Sequence, residues 1–244
     1  MRLTDFTVLS FDCYGTLIDW ESGMIEALSG LTDRAAQAGV TLTREDILQA
    51  HAHHESTLQR LTPGKRYREL LAVVYKRLAE GWGVPASVEA CDAYGASVGD
   101  WPAFEDTVEA LRYLKRHYRL VILSNVDNRS FAATNARLGV EFDAIYTAED
   151  MGSYKPSPRN FQYLLDTLGE RGVARTHLLH VAESLYHDHA PANTFGLANC
   201  WIHRRHAQPG FGATVDPGAM PKTDFHFRSM AELAQAHRQA LAQA

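Results

Sequence analysis

An aspartate that closes an apolar run and precedes a glycine turn, as Asp12 does in TVLSFDCYG, can act as a carboxylate nucleophile. It needs a cation to offset its burial and donors to hold the charge that develops. Lys155, in GSYKPSP, is a candidate for that cation. Ser124 and Asn125 follow a second apolar run, and Glu183 and Asp188 a third. Singly, an aspartate often caps a turn and a lysine usually lies on the surface, but polar groups repeated behind apolar runs point to a site. Histidines gather at His51, His53 and His54 and again at His187 and His189. A zinc site is a weak reading of them, because on a helix His51 shares a face with His54 but not with His53. One imidazole, such as His54 or His187, could enter the pocket and bond substrate or water. Trp20 and Trp101 could wall the site, although ordinary packing accounts for both.

Positioning these residues takes a sheet. Thr7 to Gly15, Leu120 to Leu123, Ala144 to Thr147, Leu178 to Ala182 and Asn199 to His203 read as short, nearly continuous apolar strands, the pattern of strands covered on both faces. Helical stretches around Val108 to His117 and Phe161 to Leu168 alternate with them, which predicts an α/β fold with a doubly wound parallel sheet. Ligands bind beyond the carboxyl ends of such strands, where Asp12, Ser124, Lys155 and Asp188 are expected to meet. Between about Asp19 and Ala96 the alternation stops, and Ser22 to Ala38, Arg44 to Arg60, Lys65 to Glu80 and Ala86 to Tyr94 read as helices. Entering directly after the first strand, this block is expected to cover the sheet's carboxyl edge as a helical cap. The expected domains are a core of residues 1–18 and 97–244 and a cap of residues 19–96. Gln208 to Pro221, rich in Gly and Pro, reads as a surface loop.

The 244 residues, 45% hydrophobic and 22% charged, are ample for a large core and exclude disorder and fibres. A net charge of -5, from 24 basic and 29 acidic residues, gives no footprint for nucleic acid or an anionic membrane, so a small molecule is the expected partner. No uncharged apolar run nears the roughly 20 residues that span a bilayer. The start, MRLTDFTVLSFD, lacks a secretory pattern, so the cytoplasm is the expected location. Cys13, Cys91 and Cys200, odd in number and far apart, suit reduced thiols.

FDCYGTL (Phe11 to Leu17), LSN (Leu123 to Asn125), YKP (Tyr154 to Pro156) and AESLYHD (Ala182 to Asp188) resemble, in order and over nearly the whole chain, the four motifs of the haloacid dehalogenase superfamily. The pattern is most similar to the type II 2-haloacid dehalogenases, because Tyr14 stands where superfamily phosphatases carry a second Asp as general acid for a leaving alcohol. A halide needs no such proton. The resemblance implies that Asp12 attacks the halogen-bearing carbon and forms an ester, Lys155 holds it in place and charged, and Asp188 anchors the hydrolytic water. It implies that Ser124 and Asn125 bind the substrate carboxylate or position the nucleophile and that Thr16 orders the loop. Tyr14, Trp20, Arg60, Phe161 and Ser184 are then expected around the substrate. The reaction implied is hydrolytic dehalogenation of a short 2-haloalkanoic acid, with inversion at carbon and with neither metal nor cofactor. The partner implied is the small-molecule haloacid, and a homodimer is compatible with it.

The pattern also departs from these dehalogenases. Phe161 replaces a tyrosine, Leu185 an asparagine and Glu183 a serine, and the cap arginine that receives the halide falls near Gln59, with Arg60 beside it. Glu183 and Asp188 have the spacing at which superfamily phosphatases hold Mg2+, so the alternatives are a Mg2+-dependent phosphatase and a non-catalytic binding protein on the same fold.

Overall fold

The structure, a computed structural model, describes residues 1–243. Its centre is a sheet of β1 (Val8–Phe11), β2 (Arg119–Ser124), β3 (Ala144–Thr147), β4 (Leu178–Ala182), β5 (Ala198–Ile202) and β6 (Phe225–Phe227). All are parallel, in the order β3-β2-β1-β4-β5-β6. The chain builds outward from β1 to β3, then crosses back to β4, so the winding reverses between β1 and β4. Parallel strands at such a switch point open a crevice beyond their carboxyl ends. Asp12 follows β1 and Asp188 lies in the wide turn Leu185–His189 after β4, so both stand at that crevice. The doubly wound sheet expected from the alternation is what the chain forms.

Five helices are inserted between β1 and the helix that leads into β2: α1 (Trp20–Ala27), α2 (Ser29–Gln37), α3 (Arg44–Leu61), α4 (Tyr67–Gly81) and α5 (Val88–Ala96). Asp19 caps α1, Thr43 and Asp46 cap α3 reciprocally, and Ser87 caps α5, each satisfying an amide that the first turn leaves free. The single helix expected over Ser22 to Ala38 is two, because the chain bends at Leu28; the bend lets Met24, Leu28 and Leu31 all be buried. The chain continues through α6 (Thr107–Leu114), α7 (Asn128–Leu138), α8 (Ala148–Met151), α9 (Pro158–Glu170), α10 (Ala190–Thr194) and α11 (Met230–Ala242).

Alternate strand residues feed two apolar clusters. Val8, Val121, Leu123 and Leu178 pack with Phe161, Leu164 and Leu168 of α9. Leu9, Phe11, Leu120, Ile122, Leu179 and Val181 join a larger cluster that runs through α6 and α11 and on into Met24, Leu28, Leu70, Leu71 and Val74 of the inserted helices. The insertion therefore shares apolar contacts with the sheet and does not sit on it through polar surface alone. Gly23 of α1 is required there, since a Cβ would lie 2.4 Å from Cγ of Trp101. The loop from Gln208 to Pro221 is a surface loop only in part: Ala213 is buried, and Thr214 and Val215 reach cavities at the sheet edge. Among the described residues no helix is long and apolar enough to cross a membrane, and all three cysteines are free thiols.

Candidate active site

Asp12 is fixed at both oxygens. Lys155 Nζ donates to Oδ1 at 2.9 Å and Thr16 Oγ1 donates to Oδ2 at 2.7 Å. The same ammonium donates to Asp188 Oδ1 at 2.6 Å and to the Leu123 carbonyl at 2.9 Å, so its three N–H groups are all used. Lys155 is 1% exposed, and Asn125 clamps its backbone on both sides, accepting from Lys155 N at 2.7 Å and donating to its carbonyl at 3.1 Å. Gly15, at φ +93, makes the turn that returns the chain past Asp12; a Cβ there would be strained and would lie 3.1 Å from Trp20 Nε1.

Behind Asp188 lies a second contact. His180 Nε2 is 2.9 Å from Asp188 Oδ1, and its Nδ1 is 2.9 Å from Ser10 Oγ. Ser10 and His180 are register partners on β1 and β4, which is why two polar side chains in apolar strands meet. With Ser10 donating to Nδ1, the imidazole donates from Nε2 to Asp188. Asp188 Oδ2 is buried without a hydrogen-bond partner and belongs to the residue that lines the cavity.

Electrostatics follow from this packing. Burial, with the Asp188 charge, pushes the Asp12 carboxyl up, against Lys155 and Thr16. Burial also opposes the charge on Asp188, but Lys155 and His180 outweigh it and hold that carboxyl well below the usual range. Burial likewise opposes the Lys155 charge, and the two carboxylates more than offset it, so the ammonium is held above its ordinary pKa. One ionised acid and one cation thus flank a carboxylate whose burial makes it a better base than an exposed aspartate.

Asp12, Tyr14, Trp20, Ser124, Asn125, Lys155, Ser184 and Asp188 of the expected set all line one inner cavity of about 40 Å³. Thr16 acts from behind, through Asp12 and by accepting from Glu183 N at 2.8 Å. Tyr14 turns its hydroxyl away, 2.7 Å from Thr134 Oγ1, and Trp101 packs edge-on against its ring. Of the two histidines considered for the pocket, His187 lines it and His54 does not.

Two expected substrate contacts are corrected. Phe161 is 0% exposed and lies under the sheet, edge-on to the His180 ring at 5.2 Å; without a hydroxyl it packs where it cannot reach substrate. Arg60 is exposed and lines an adjoining outer cavity of about 330 Å³, because Gln59 occupies the α3 face that turns inward. Glu183 is also redirected. Its carboxyl faces a separate cavity with Glu21, Arg44 and Arg205, and burial and the charges of Glu21 and Asp12 push its pKa up to about 8. Glu183 and Asp188 thus line different cavities, and among the described residues no three Asp, Glu, His or Cys side chains converge for a metal. The donor set does not fit the cation.

Reading the sequence for chemistry missed His180, Glu55, Tyr67 and Thr214. Glu55 and Tyr67 enter from α3 and α4, and Thr214 from the loop. An ionisable residue inside an apolar strand was a legible signal for His180, as was the four-residue spacing of His51, Glu55 and Gln59 for an inward helix face. Nothing in the sequence marks Thr214.

The family model of the haloacid dehalogenase-like hydrolases matches residues 6–181. The chain is 28% identical to (S)-2-haloacid dehalogenase 4A of Burkholderia cepacia over 214 residues, 82% of this chain and 84% of that enzyme. Against the (S)-2-haloacid dehalogenase of Pseudomonas fluorescens it is 32% identical over 107 residues, 42% of this chain and 44% of the relative, so that match spans less than half of the relative's length. The structure of L-2-haloacid dehalogenase from Xanthobacter autotrophicus with chloropropionic acid covalently bound aligns at a TM-score of 0.76 and 18% identity, covering 96% of this chain and 98% of that one, which shows a shared fold. With its four ordered motifs, its sheet and the match over residues 6–181, the chain belongs to the haloacid dehalogenase-like hydrolase family.

Proposed function

We propose that this protein hydrolyses the carbon–halogen bond of short 2-haloalkanoic acids through an ester on Asp12. The observation that carries the reading is the pairing of Asp12 with a buried, fully hydrogen-bonded Lys155, while the hydroxyl of Tyr14 is bonded to Thr134, which does not line the cavity. In the first step a carboxylate oxygen of Asp12 attacks the carbon, and the halide leaves with the bonding electrons and without a proton. Formation of the ester removes the charge on Asp12, and Lys155 keeps Asp188 as its counter-ion. Water then adds to the Asp12 carbonyl carbon and gives its proton to Asp188 Oδ2, the acceptor left without a partner. Collapse expels the alkoxide, which takes the proton back from Asp188 and leaves as the 2-hydroxy acid, and the Asp12 carboxyl loses the remaining water proton to solvent, which regenerates the carboxylate.

In this reading Tyr14, Trp20, Ser124, Asn125 and Ser184 shape the inner cavity, and Arg60 guides substrate from the outer one. The helices of residues 19–96 act as a cap over a core of residues 1–18 and 97–244. A side-by-side screen for halide and phosphate release, with Mg2+ and with excess chelator, tests the proposal. Halide released in chelator supports it; phosphate release that requires Mg2+ would replace it.

A further inference from the structure

The cavity holds one acid more than the ester chemistry uses. Glu55, on α3, is 8% exposed and lines the inner cavity with Asp12, Lys155 and Asp188. It is oriented by neighbours one helical turn away on each side. Gln59 Nε2 donates to Oε1 at 2.9 Å, and His51 Nδ1 stands 3.5 Å from Oε2 without hydrogen-bond geometry. Tyr67, on the facing side of the same cavity, also turns its hydroxyl to Glu55. A carboxylate accepts about four hydrogen bonds, so Glu55 keeps acceptor capacity for a ligand.

The charges around the cavity are unequal. Asp12, Glu55 and Asp188 are its acids, and Lys155 is the one Lys or Arg among its lining residues. All three donors of Lys155 are spent on Asp12, Asp188 and a carbonyl. His187, the remaining basic side chain there, is held below its ordinary pKa by burial. Opposite in character is Ser124, whose buried hydroxyl lines the cavity and has no partner, which leaves a donor for a carboxylate. A plain haloalkanoate would satisfy Ser124 and place a second anion in a small dry site beside Glu55. A molecule that also carries a cation satisfies both groups. Like charges brought together in such a site are a strong device for rejecting the wrong ligand.

We infer that Glu55 is the specificity-determining residue and that the substrate is a short haloacid bearing a protonated amine, whose ammonium Glu55 receives while Ser124 receives the carboxylate. The inference takes its halogen from the proposed dehalogenation, but the pairing of Glu55 with an ammonium does not depend on it. The inner cavity, room for a few waters, is too small for the whole molecule. The outer one shares Gln59, Lys155 and His187 with it and supplies the space.

Calorimetry with unreactive analogues tests this on the intact chain. Propanoate and butanoate are compared with 3-aminopropanoate and 4-aminobutanoate, on wild type and on Glu55→Gln, which keeps size and removes charge. Wild type is expected to bind the amino acids at least about tenfold more tightly than the plain acids, and Glu55→Gln to reduce that preference to about twofold or less. Plain acids bound as well as or better than the amino acids, no binding of the amino acids by wild type, or an unchanged ratio in a folded Glu55→Gln would overturn the inference. The wild-type comparison stands even if the variant fails to fold. Halide release from 4-amino-2-chlorobutanoate against 2-chlorobutanoate is measured in parallel. Release favouring the amino compound supports both readings. No halide from either, with the binding preference intact, removes the dehalogenase reading and leaves the role of Glu55 standing.

Discussion

On the sheet side of the cavity every carboxylate oxygen but one has a fixed partner, whereas on the helical side Glu55 has only the Gln59 amide and the Tyr67 hydroxyl beside it and His51 is buried with no hydrogen bond at either ring nitrogen. The sheet side is tied by backbone geometry, with Asp12 directly after β1, Lys155 clamped by Asn125 just beyond β2, Asp188 in the turn after β4 and His180 paired to Ser10 by register. The helical side is tied by side chains of the inserted helices themselves, Gln59 and His51 one turn away on α3 and Tyr67 from α4. A group that must keep its charge and direction through a covalent cycle needs the first kind of support. A group that chooses the substrate can be left with bonds for the substrate to complete.

The comparison breaks most decisively at Asp12. Asp12→Asn is expected to lower halide release on the order of 10⁴-fold or more, since an amide is a poor nucleophile, and to leave the fold intact. In wild type, water labelled with oxygen-18 should enter Asp12 after several turnovers; label found only in the product of a single turnover would mean direct attack by water. Next is Lys155→Met, which removes the cation that offsets Asp12 and Asp188 together. Activity should fall about 10³-fold and not return with Mg2+, while wild type keeps its rate in excess chelator. Halide release by wild type that depends on Mg2+ would refute this account of the sheet side.

The sheet side was also the more legible of the two in the sequence. Apolar runs ending in Asp12, Ser124 and Glu183 placed the strands, the parallel, doubly wound character of the sheet followed from alternation, and the inner cavity gathers most of the residues those runs exposed. The helical side was less so, because a helix presents a face only after its bends are known: the break at Leu28 and the inward turn of Gln59 in place of Arg60 both depend on packing. Phe161 misled because a position carried over from the resemblance says nothing about depth, and here it lies beneath His180. The loop residue Thr214 reached the cavity through tertiary contacts that no local pattern announces.

A smaller, step-specific effect is expected at His180. Because it holds Asp188 Oδ1, its loss should disturb the acceptor of the hydrolytic proton more than the displacement itself. His180→Leu is expected to lower kcat about 10- to 100-fold, to release one rapid equivalent of halide per site, and to accumulate alkylated Asp12 visible by intact mass. The same fall in kcat with neither burst nor adduct would assign His180 to the first step.

An effect read in stability and not in rate sharpens the boundary between the two sides, at Glu183. Its amide donates to Thr16 on the sheet side, while its partly buried carboxyl shares a cavity with Glu21 of α1 and with Arg205. Burial, then the charges of Glu21 and Asp12, raise its pKa from 4.5 to about 8 against the pull of Arg205. Between those values the folded chain keeps a proton that the unfolded chain releases. The stabilising contribution is therefore complete below about pH 4.5 and is lost as pH rises through about 8. Glu183→Gln imitates the protonated form. It should match wild type within about 0.5 kcal/mol near pH 4 and exceed it by on the order of 4 kcal/mol near pH 8.5, read from denaturant midpoints at equal m. Parallel stability curves would mean that Glu183 is ionised in the folded protein, and an ionised carboxylate this near to Asp12 would bring back the divalent cation.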